Sequence, residues 1–155
     1  MMREEIIKIA AAENGYKEEP PSSNTNKFGE WYGMNHVAWC AIFVSWVYSK
    51  CNIVWPKQVE SVKGFAWCNA LMIRAKKNEW VTINPKIADV VLFDWDGDKD
   101  PDHVGLFAGW VEEGKTFLCW EGNTSTTNNS NGGEVMLRTR KISQVQMFVN
   151  VIDLQ

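Results

Sequence analysis

The sequence predicts an α+β fold in which N-terminal helices pack on a mostly antiparallel β-sheet. Helical periodicity dominates the chain before Pro85, and short runs rich in β-branched and aromatic residues dominate it afterwards. The 155 residues, 45% of them hydrophobic, are enough for one core and leave little room for a second. We therefore expect a single domain over residues 1–155.

Three helices are expected before Pro85. Residues 3–14 carry apolar side chains at helical spacing and precede Gly15, a favourable C-terminal cap. The run CAIFVSWVYSK, which begins at Cys40, has the apolar spacing of a buried helix face. A third helix is expected within residues 61–77, where basic residues cluster towards the C-terminal end.

Five strands are expected after these helices. They are placed at residues 88–95, 103–111, 115–122, 134–140 and 146–153. The second and third would form a hairpin around Gly114, which brings His103 and Glu121 to one edge of the sheet. The polar, glycine-rich segment 123–133 is expected to be a loop that joins two strands.

Charge and hydropathy exclude several functions. The formal net charge of −3 argues against a nucleic-acid partner, because phosphate binding relies on a basic surface. The chain has no apolar run of about eighteen residues, and its N-terminus is too polar for a signal peptide. Neither membrane insertion nor export is therefore expected, and we expect a monomer that is made in the cytoplasm. The four cysteines match no zinc-type spacing.

Cys40 is the strongest candidate for a catalytic nucleophile. A thiol in the first turn of an apolar helix has a lowered pKa, because the helix N-terminus stabilises the thiolate. His103, which begins a strand directly after an aspartate-rich loop, is the better of the two histidines as a base. Glu121 and Asn123 are candidates for the third polar group, which would orient the imidazole.

The remaining cysteines and His36 are given structural interpretations. Most free cysteines pack into cores, so the other three are expected there: Cys51, Cys68 and Cys119. His36 is close to Cys40 in sequence, but we expect an exposed loop histidine.

An oxyanion hole would complete such a site. The backbone N–H of Cys40 would be one donor, and either Asn35 or Tyr32 would supply the second. Three tryptophans that flank the site in sequence are expected to line a substrate groove: Trp31, Trp39 and Trp120.

The sequence around these residues resembles the CHAP family, the cysteine, histidine-dependent amidohydrolases and peptidases of phage and bacteria. The motifs are YGxxxxxWCAxFVSW around Cys40, DHVGLF around His103, and WEGN at residues 120–123. They follow the family's order, and the resemblance covers nearly the whole chain. It implies a papain-like fold, related to NlpC-like peptidases, with Cys40 as the nucleophile and His103 as the base and then the acid. By the same resemblance Glu121 orients His103, and Asn123 assists or replaces it.

The resemblance also implies a function, peptidoglycan hydrolysis. The bond cut would be an amide of the bacterial cell wall, by an N-acetylmuramoyl-L-alanine amidase or by an endopeptidase. A phage or prophage endolysin of this kind would be made in the bacterial cytoplasm and reach the wall by holin-type release or on a phage particle. The alternative is a non-catalytic cell-wall-binding or phage structural module on the same fold. The intact Cys40, His103 and Glu121 favour the hydrolase.

The loop DWDGDKDPDH carries aspartates at alternate positions. Asp94, Asp96 and Asp98 match the D-x-D-x-D start of a calcium loop. The match to an EF-hand ends there, because Lys99 stands at the sixth position and Gly105 at the twelfth. Some CHAP members bind calcium near the site, so Ca²⁺ is the one cofactor considered, and a solvated acidic turn is the other interpretation. The proposed chemistry requires no cofactor.

Overall fold

Helices and strands are segregated along the chain. The computed structural model, which describes all residues 1–155, has four α-helices, six β-strands and two short 3₁₀ helices at Ile142–Gln144 and Ile152–Leu154. The α-helices and strands are α1 (Met2–Ala12), α2 (Lys27–Tyr32), α3 (Cys40–Lys50), α4 (Cys68–Lys77), β1 (Val81–Thr82), β2 (Val90–Phe93), β3 (His103–Glu112), β4 (Thr116–Thr124), β5 (Glu134–Lys141) and β6 (Val145–Val149). The α+β class is confirmed. No helix combines the length and the apolar character needed to cross a membrane.

The six strands form one antiparallel sheet in the order β1-β6-β2-β3-β4-β5. β3 and β4 pair as the expected hairpin, with Leu106 opposite Trp120. The final strand, β6, lies between β1 and β2, so the last strand of the sequence is internal to the sheet.

Two short elements, one helix boundary and the end of the last strand differ from expectation. The last strand is predicted over residues 146–153, but β6 ends at Val149 and a 3₁₀ helix begins at Ile152. α2 has only six residues, too few for a clear apolar period, and it is capped by the side chain of Asn26. Neither α2 nor the two-residue strand β1 is predicted from the sequence. The third helix begins at Cys68 and not near Ser61, because Ser45 on α3 hydrogen-bonds to the backbone N–H and C=O of Phe65. These bonds hold the preceding segment outside a helix.

The sheet has a core on each face. On β2, Val90 and Leu92 belong to the large core shared with the helices, whereas Val91 and Phe93 face the opposite side. The opposite face carries a compact cluster of six buried residues: Val91, Phe93, Phe107, Phe117, Cys119 and Phe148. Helix α3 packs on β3 and β4, so its first residue is carried to the sheet.

Two glycines in the sheet leave space for neighbouring side chains to pack directly against the strands. A Cβ atom on Gly122 would lie 2.6 Å from Cβ of Phe43 on α3, so only glycine lets helix and strand pack this tightly. A Cβ atom on Gly105 would lie 2.8 Å from Cγ of Glu121 and 2.5 Å from Sγ of Cys119. Gly105 therefore leaves the space that the Glu121 side chain occupies.

The two ends of the chain are tied together by Arg3. Its guanidinium donates to Asp89 at 2.8 Å and to Asp153 at 2.9 Å, contacts that span 86 and 150 residues. Helix α1 is thereby anchored both to the loop before β2 and to the C-terminal turn.

We predict that Gly122→Ala destabilises the protein by about 1–3 kcal/mol, the usual range for overpacking a close contact. The added methyl group would collide with Phe43, whose Cβ and Cγ are fixed near the helix axis. Urea unfolding followed by circular dichroism measures the change. Thr139→Ala, at an exposed position of β5, is the control and should change stability by less than about 0.5 kcal/mol. Equal stability of Gly122→Ala and wild type would contradict the packing argument.

Candidate active site

Cys40 is the first residue of α3 and is almost fully buried. The preceding residue, Trp39, makes no side-chain capping bond to the helix, so the first N–H groups of α3 have no side-chain acceptor from the cap. Those N–H groups and the helix dipole favour negative charge at the sulfur. The backbone N–H of Cys40 is also placed to donate to an oxyanion that forms next to the sulfur.

His103 begins β3, and Glu121 lies near the end of the adjacent strand β4. Their side chains are fully buried, and Nε2 of His103 lies 2.8 Å from Oε1 of Glu121. The other imidazole nitrogen, Nδ1, is buried and has no hydrogen-bond partner. Cys40 lies beside the imidazole, close enough for its sulfur to affect the protonation of His103. The three predicted residues are thus brought together in the order Cys40, His103, Glu121.

The neighbouring charges shift the pKa values of these groups in directions that favour their charged forms. Burial lowers the pKa of His103, yet Glu121 and Cys40 outweigh this and raise it to about 9. Burial raises the pKa of Glu121, but hydrogen bonds from Arg140 and the charge of His103 hold it below the usual value. Both shifts favour a Cys40 thiolate beside a His103 imidazolium.

A second cysteine contributes to this state. Cys68 begins α4 as Cys40 begins α3, and both side chains are buried. The neighbouring Cys68 thiol, together with His103, brings the pKa of Cys40 well below its usual value despite burial. The same contact raises the pKa of Cys68. Cys68 is therefore a neighbour of the candidate nucleophile as well as the core residue that was expected.

Arg140 on β5 completes the polar cluster. It is buried, and it donates two hydrogen bonds to the Glu121 carboxylate, from Nε at 2.8 Å and from Nη2 at 2.5 Å. Its guanidinium also lies 4.9 Å from the ring centroid of Trp95, and the Trp95 ring stacks on His103 at 5.9 Å. The sequence expectation included neither Arg140 nor Trp95 in the site. In the sequence, the alternation of the strand EVMLRTR places Arg138 and Arg140 on one face, and this pattern is the signal that could have indicated Arg140.

The expected role of Asn123 is wrong. Its Nδ2 donates to Oδ1 of Asn131 at 3.2 Å, and its Oδ1 accepts from the backbone N–H of Gly133 at 3.0 Å. Asn123 has a φ of +56° at a bulge in the β4–β5 pairing, so the strand alternation that would aim it at His103 is broken. It holds the loop between these strands.

The prediction that three tryptophans line a substrate groove is wrong for two of them, because these two lie in the core. Trp39 is fully buried, stacks on Phe28 at 5.6 Å, and donates from Nε1 to Glu18. Trp120 is 9% exposed and faces the helices, since the next residue, Glu121, faces the opposite side of the strand. Trp31 alone is half-buried, and it lines a cavity of about 420 Å³.

Neither candidate for the second oxyanion donor has a contact that assigns it this role. Oδ1 of Asn35 accepts the backbone N–H of Asn26 at the start of α2, at 3.2 Å. The Tyr32 hydroxyl accepts a hydrogen bond from Ser61 at 3.0 Å. The backbone N–H of Cys40 is therefore the one oxyanion donor that can be named.

His36 and Cys51 lie outside the catalytic cluster, whereas the Cys119 thiol lies beside Glu121. His36 is exposed and lies 3.3 Å from the Thr25 hydroxyl. Cys119 is fully buried in the second core, and burial raises the pKa of its thiol. Cys51 is half-buried at the end of α3 and packs against the large core, as a residue of its margin.

The acidic loop between β2 and β3 gathers its carboxylates. Oxygen atoms of four aspartates lie within 4.8 Å of one another: Asp94, Asp96, Asp98 and Asp102. Backbone N–H groups already bond to several of them, among them those of Gly97 and Lys99 to Asp94. A cluster of oxygen ligands fits the donor preference of Ca²⁺. The three predicted residues are brought together, and Asp102 joins them.

Such a site can carry out nucleophilic acyl transfer. The thiolate is the attacking group, the imidazolium holds a proton for the leaving group, and the buried carboxylate fixes the imidazole. No protein-family model matches this chain, and no curated protein was found to match its sequence. The function proposed for the chain therefore rests on this site and on its own motifs.

We predict that iodoacetamide modifies Cys40 first at pH 7, at least about tenfold faster than Cys51. An ordinary thiol is only a few per cent ionised at this pH, whereas the pKa of Cys40 is held well below its usual value. Cys51 is the matched control because it is more exposed but has a raised pKa. Mass spectrometry of tryptic peptides measures both rates. Equal labelling of the two cysteines would refute the ion pair.

Proposed function

We propose that this protein is a peptidoglycan hydrolase of the CHAP type, with a papain-like fold and a cysteine nucleophile. The observation that carries the proposal is the buried series Cys40, His103 and Glu121 at the start of α3 and the adjoining ends of β3 and β4. The motifs around the same three residues direct the proposal to amide bonds of the cell wall.

The reaction begins with attack of the Cys40 thiolate on the carbonyl carbon of a substrate amide. The tetrahedral oxyanion is stabilised by the backbone N–H of Cys40. His103 then gives its proton to the leaving amine, the C–N bond breaks, and a thioester to Cys40 remains. Glu121 keeps the imidazole in place throughout and stabilises its positive charge until the proton is transferred.

Hydrolysis of the thioester returns the site to its starting state. Neutral His103 takes a proton from water as the oxygen attacks the thioester carbon. The second tetrahedral intermediate collapses, the C–S bond breaks, and the product leaves as a carboxylic acid. Cys40 is released as the thiolate beside a newly protonated His103.

The ionisation of the site sets the working pH range. Attack requires the thiolate, whose pKa is held well below its usual value, and departure of the amine requires the imidazolium, which persists to a pH of about 9. Hydrolysis should therefore be constant through the neutral range and fall as the pH rises through about 9, because His103 loses the proton that the leaving amine needs.

The motifs indicate the substrate class, which is peptidoglycan. They do not decide which of two amide bonds within it is cut. Both an N-acetylmuramoyl-L-alanine amidase and an endopeptidase would use this thiolate and base, and they would differ only in the groove that holds the substrate. Trp31 is proposed to contact the substrate, and the lining of its cavity includes none of Cys40, His103 and Glu121. We place the protein among phage or prophage lysins, which act on the wall after release or delivery.

We predict that purified peptidoglycan is cut by the wild-type protein and that Cys40→Ala lowers the rate by at least about 10³-fold. Cys51→Ala, which removes a thiol at the end of α3 opposite Cys40, is the control and should keep most of the activity. Mass spectrometry of released fragments identifies the new termini, which separate amidase from endopeptidase. Absence of fragments from walls of several bacteria would overturn the hydrolase and favour a non-catalytic wall-binding or phage structural module.

We also propose that the aspartate cluster takes up Ca²⁺ and that the chemistry does not depend on it. Calorimetry should show one Ca²⁺ bound, with a Kd of about 10⁻⁴–10⁻³ M, as expected for exposed carboxylates on a loop. Asp96→Asn should weaken binding, and Asp100→Asn, which lies in the same loop outside the cluster, should not. If calorimetry detects no heat of binding at millimolar Ca²⁺, the proposed site is refuted. If chelation of Ca²⁺ abolishes hydrolysis, the proposal that the chemistry does not depend on the ion is refuted.

A further inference from the structure

Arg140 contacts both of the groups that hold the His103 imidazole. Its two hydrogen bonds to Glu121 run from different nitrogen atoms to different oxygen atoms, so they fix the plane of the carboxylate. One of those oxygens, Oε1, also bonds to Nε2 of His103 at 2.8 Å. A turn of the carboxylate would therefore break the bond to the imidazole.

The second contact runs through an aromatic ring. The Arg140 guanidinium lies 4.9 Å from the centroid of Trp95 and 5.6 Å from that of Phe93. Trp95 in turn stacks on the His103 ring with an interplanar angle of 28°. Glu121 thus holds the edge of the imidazole, Trp95 covers its face, and Arg140 binds to both of them.

Charge balance gives Arg140 a further effect. With Cys40 as a thiolate and His103 as an imidazolium, the formal charges of Cys40, His103, Glu121 and Arg140 sum to zero. Without Arg140 the remaining groups would carry a net charge of −1 away from water. A buried site of low polarity resists a net negative charge by binding a proton, which would neutralise either the Cys40 thiolate or the Glu121 carboxylate.

We propose that Arg140 is a positioning residue for the reaction, which acts through Glu121 and Trp95 to hold His103 in place against Cys40. Its effect on hydrolysis rests on the proposed function, whereas its effect on Cys40 and His103 does not. Arg140 touches no reacting atom in this arrangement.

Arg138 is the matched control. It lies two residues earlier on the same face of β5, and like Arg140 it donates to the side chains of Thr124 and Asn129. It makes no hydrogen bond to Glu121 and no ring contact with Trp95. A general need for a cation on this strand would therefore affect both arginines, and the proposed role affects only one.

The experiment compares Arg140→Met, Arg140→Lys and Arg138→Met with the wild type. Three quantities are measured: the rate of Cys40 alkylation by iodoacetamide between pH 5 and 10, the imidazole ¹⁵N shifts of His103 with His36 as an internal reference, and kcat and KM on peptidoglycan fragments. Circular dichroism and thermal unfolding establish that each variant is folded.

Arg140→Met should lower kcat by about 10- to 100-fold at unchanged KM, the usual cost of losing a residue that orients a reacting group through another. Cys40 alkylation at pH 7 should fall by about tenfold or more, and the ¹⁵N shifts of His103 should change while those of His36 do not. Arg140→Lys keeps the charge without the two parallel bonds, so it should give a smaller loss. Arg138→Met should resemble the wild type in all three quantities.

The proposal fails if Arg140→Met and Arg138→Met behave alike. If Arg140→Met does not fold, because removal of one partner of a buried ion pair is strongly destabilising, Arg140→Lys decides. Wild-type alkylation and ¹⁵N shifts in folded Arg140→Lys would then overturn the proposal. If no variant or wild type cleaves peptidoglycan but alkylation still falls in Arg140→Met, the hydrolase is refuted and the positioning role stands.

Discussion

One buried carboxylate, that of Glu121, determines the arrangement of the polar residues in this protein. It accepts hydrogen bonds from two cationic side chains, His103 and Arg140, and has no exposure to water. An isolated carboxylate in such a place would take up a proton, because burial disfavours its charge. The two cations keep it ionised, and the ionised carboxylate in turn raises the pKa of the imidazole. Gly105 is part of the same constraint, since any larger residue there would displace Glu121.

The position of the candidate nucleophile depends on packing and not on hydrogen bonds. Cys40 is placed by the start of α3, which Gly122 allows to approach β4 closely. Behind it Trp39 is locked against Phe28 in the core, so the residue before the helix cannot shift. A rigid helix start and a rigid carboxylate thus hold the sulfur and the imidazole from two sides.

The residues of the cluster differ in how far the sequence alone could reveal them. Cys40, His103 and Glu121 could be found because each lies in a local motif and because one hairpin joins the last two. Arg140 could not be assigned to Glu121 in the same way, since only the pairing of β4 with β5 brings them together. Asn123 was misassigned because strand alternation ends at a bulge, which no simple period in the sequence reveals.

The same reasoning applies to the fold. The helix at Cys40 and the strands after Pro85 follow from periodicity, which is strong in long elements. α2 and β1 are too short to show a period, and they exist because neighbouring segments cap and pair with them. Trp39 and Trp120 show the limit for side chains: their position along the chain suggests the site, but their burial places them in the core.

The order of the strands has a consequence for how the chain reaches this fold. β6, which follows the other five strands in the sequence, belongs between β1 and β2, and Arg3 pairs with Asp153 across 150 residues. The native sheet therefore cannot close until the C-terminal residues are present. Contacts that join such distant segments slow the search for the native state, because a long loop must be ordered before the contact forms. Until then the neighbouring edge of β2 and its apolar residues stay open to other chains, so the newly made protein passes through a stage in which it is prone to aggregate.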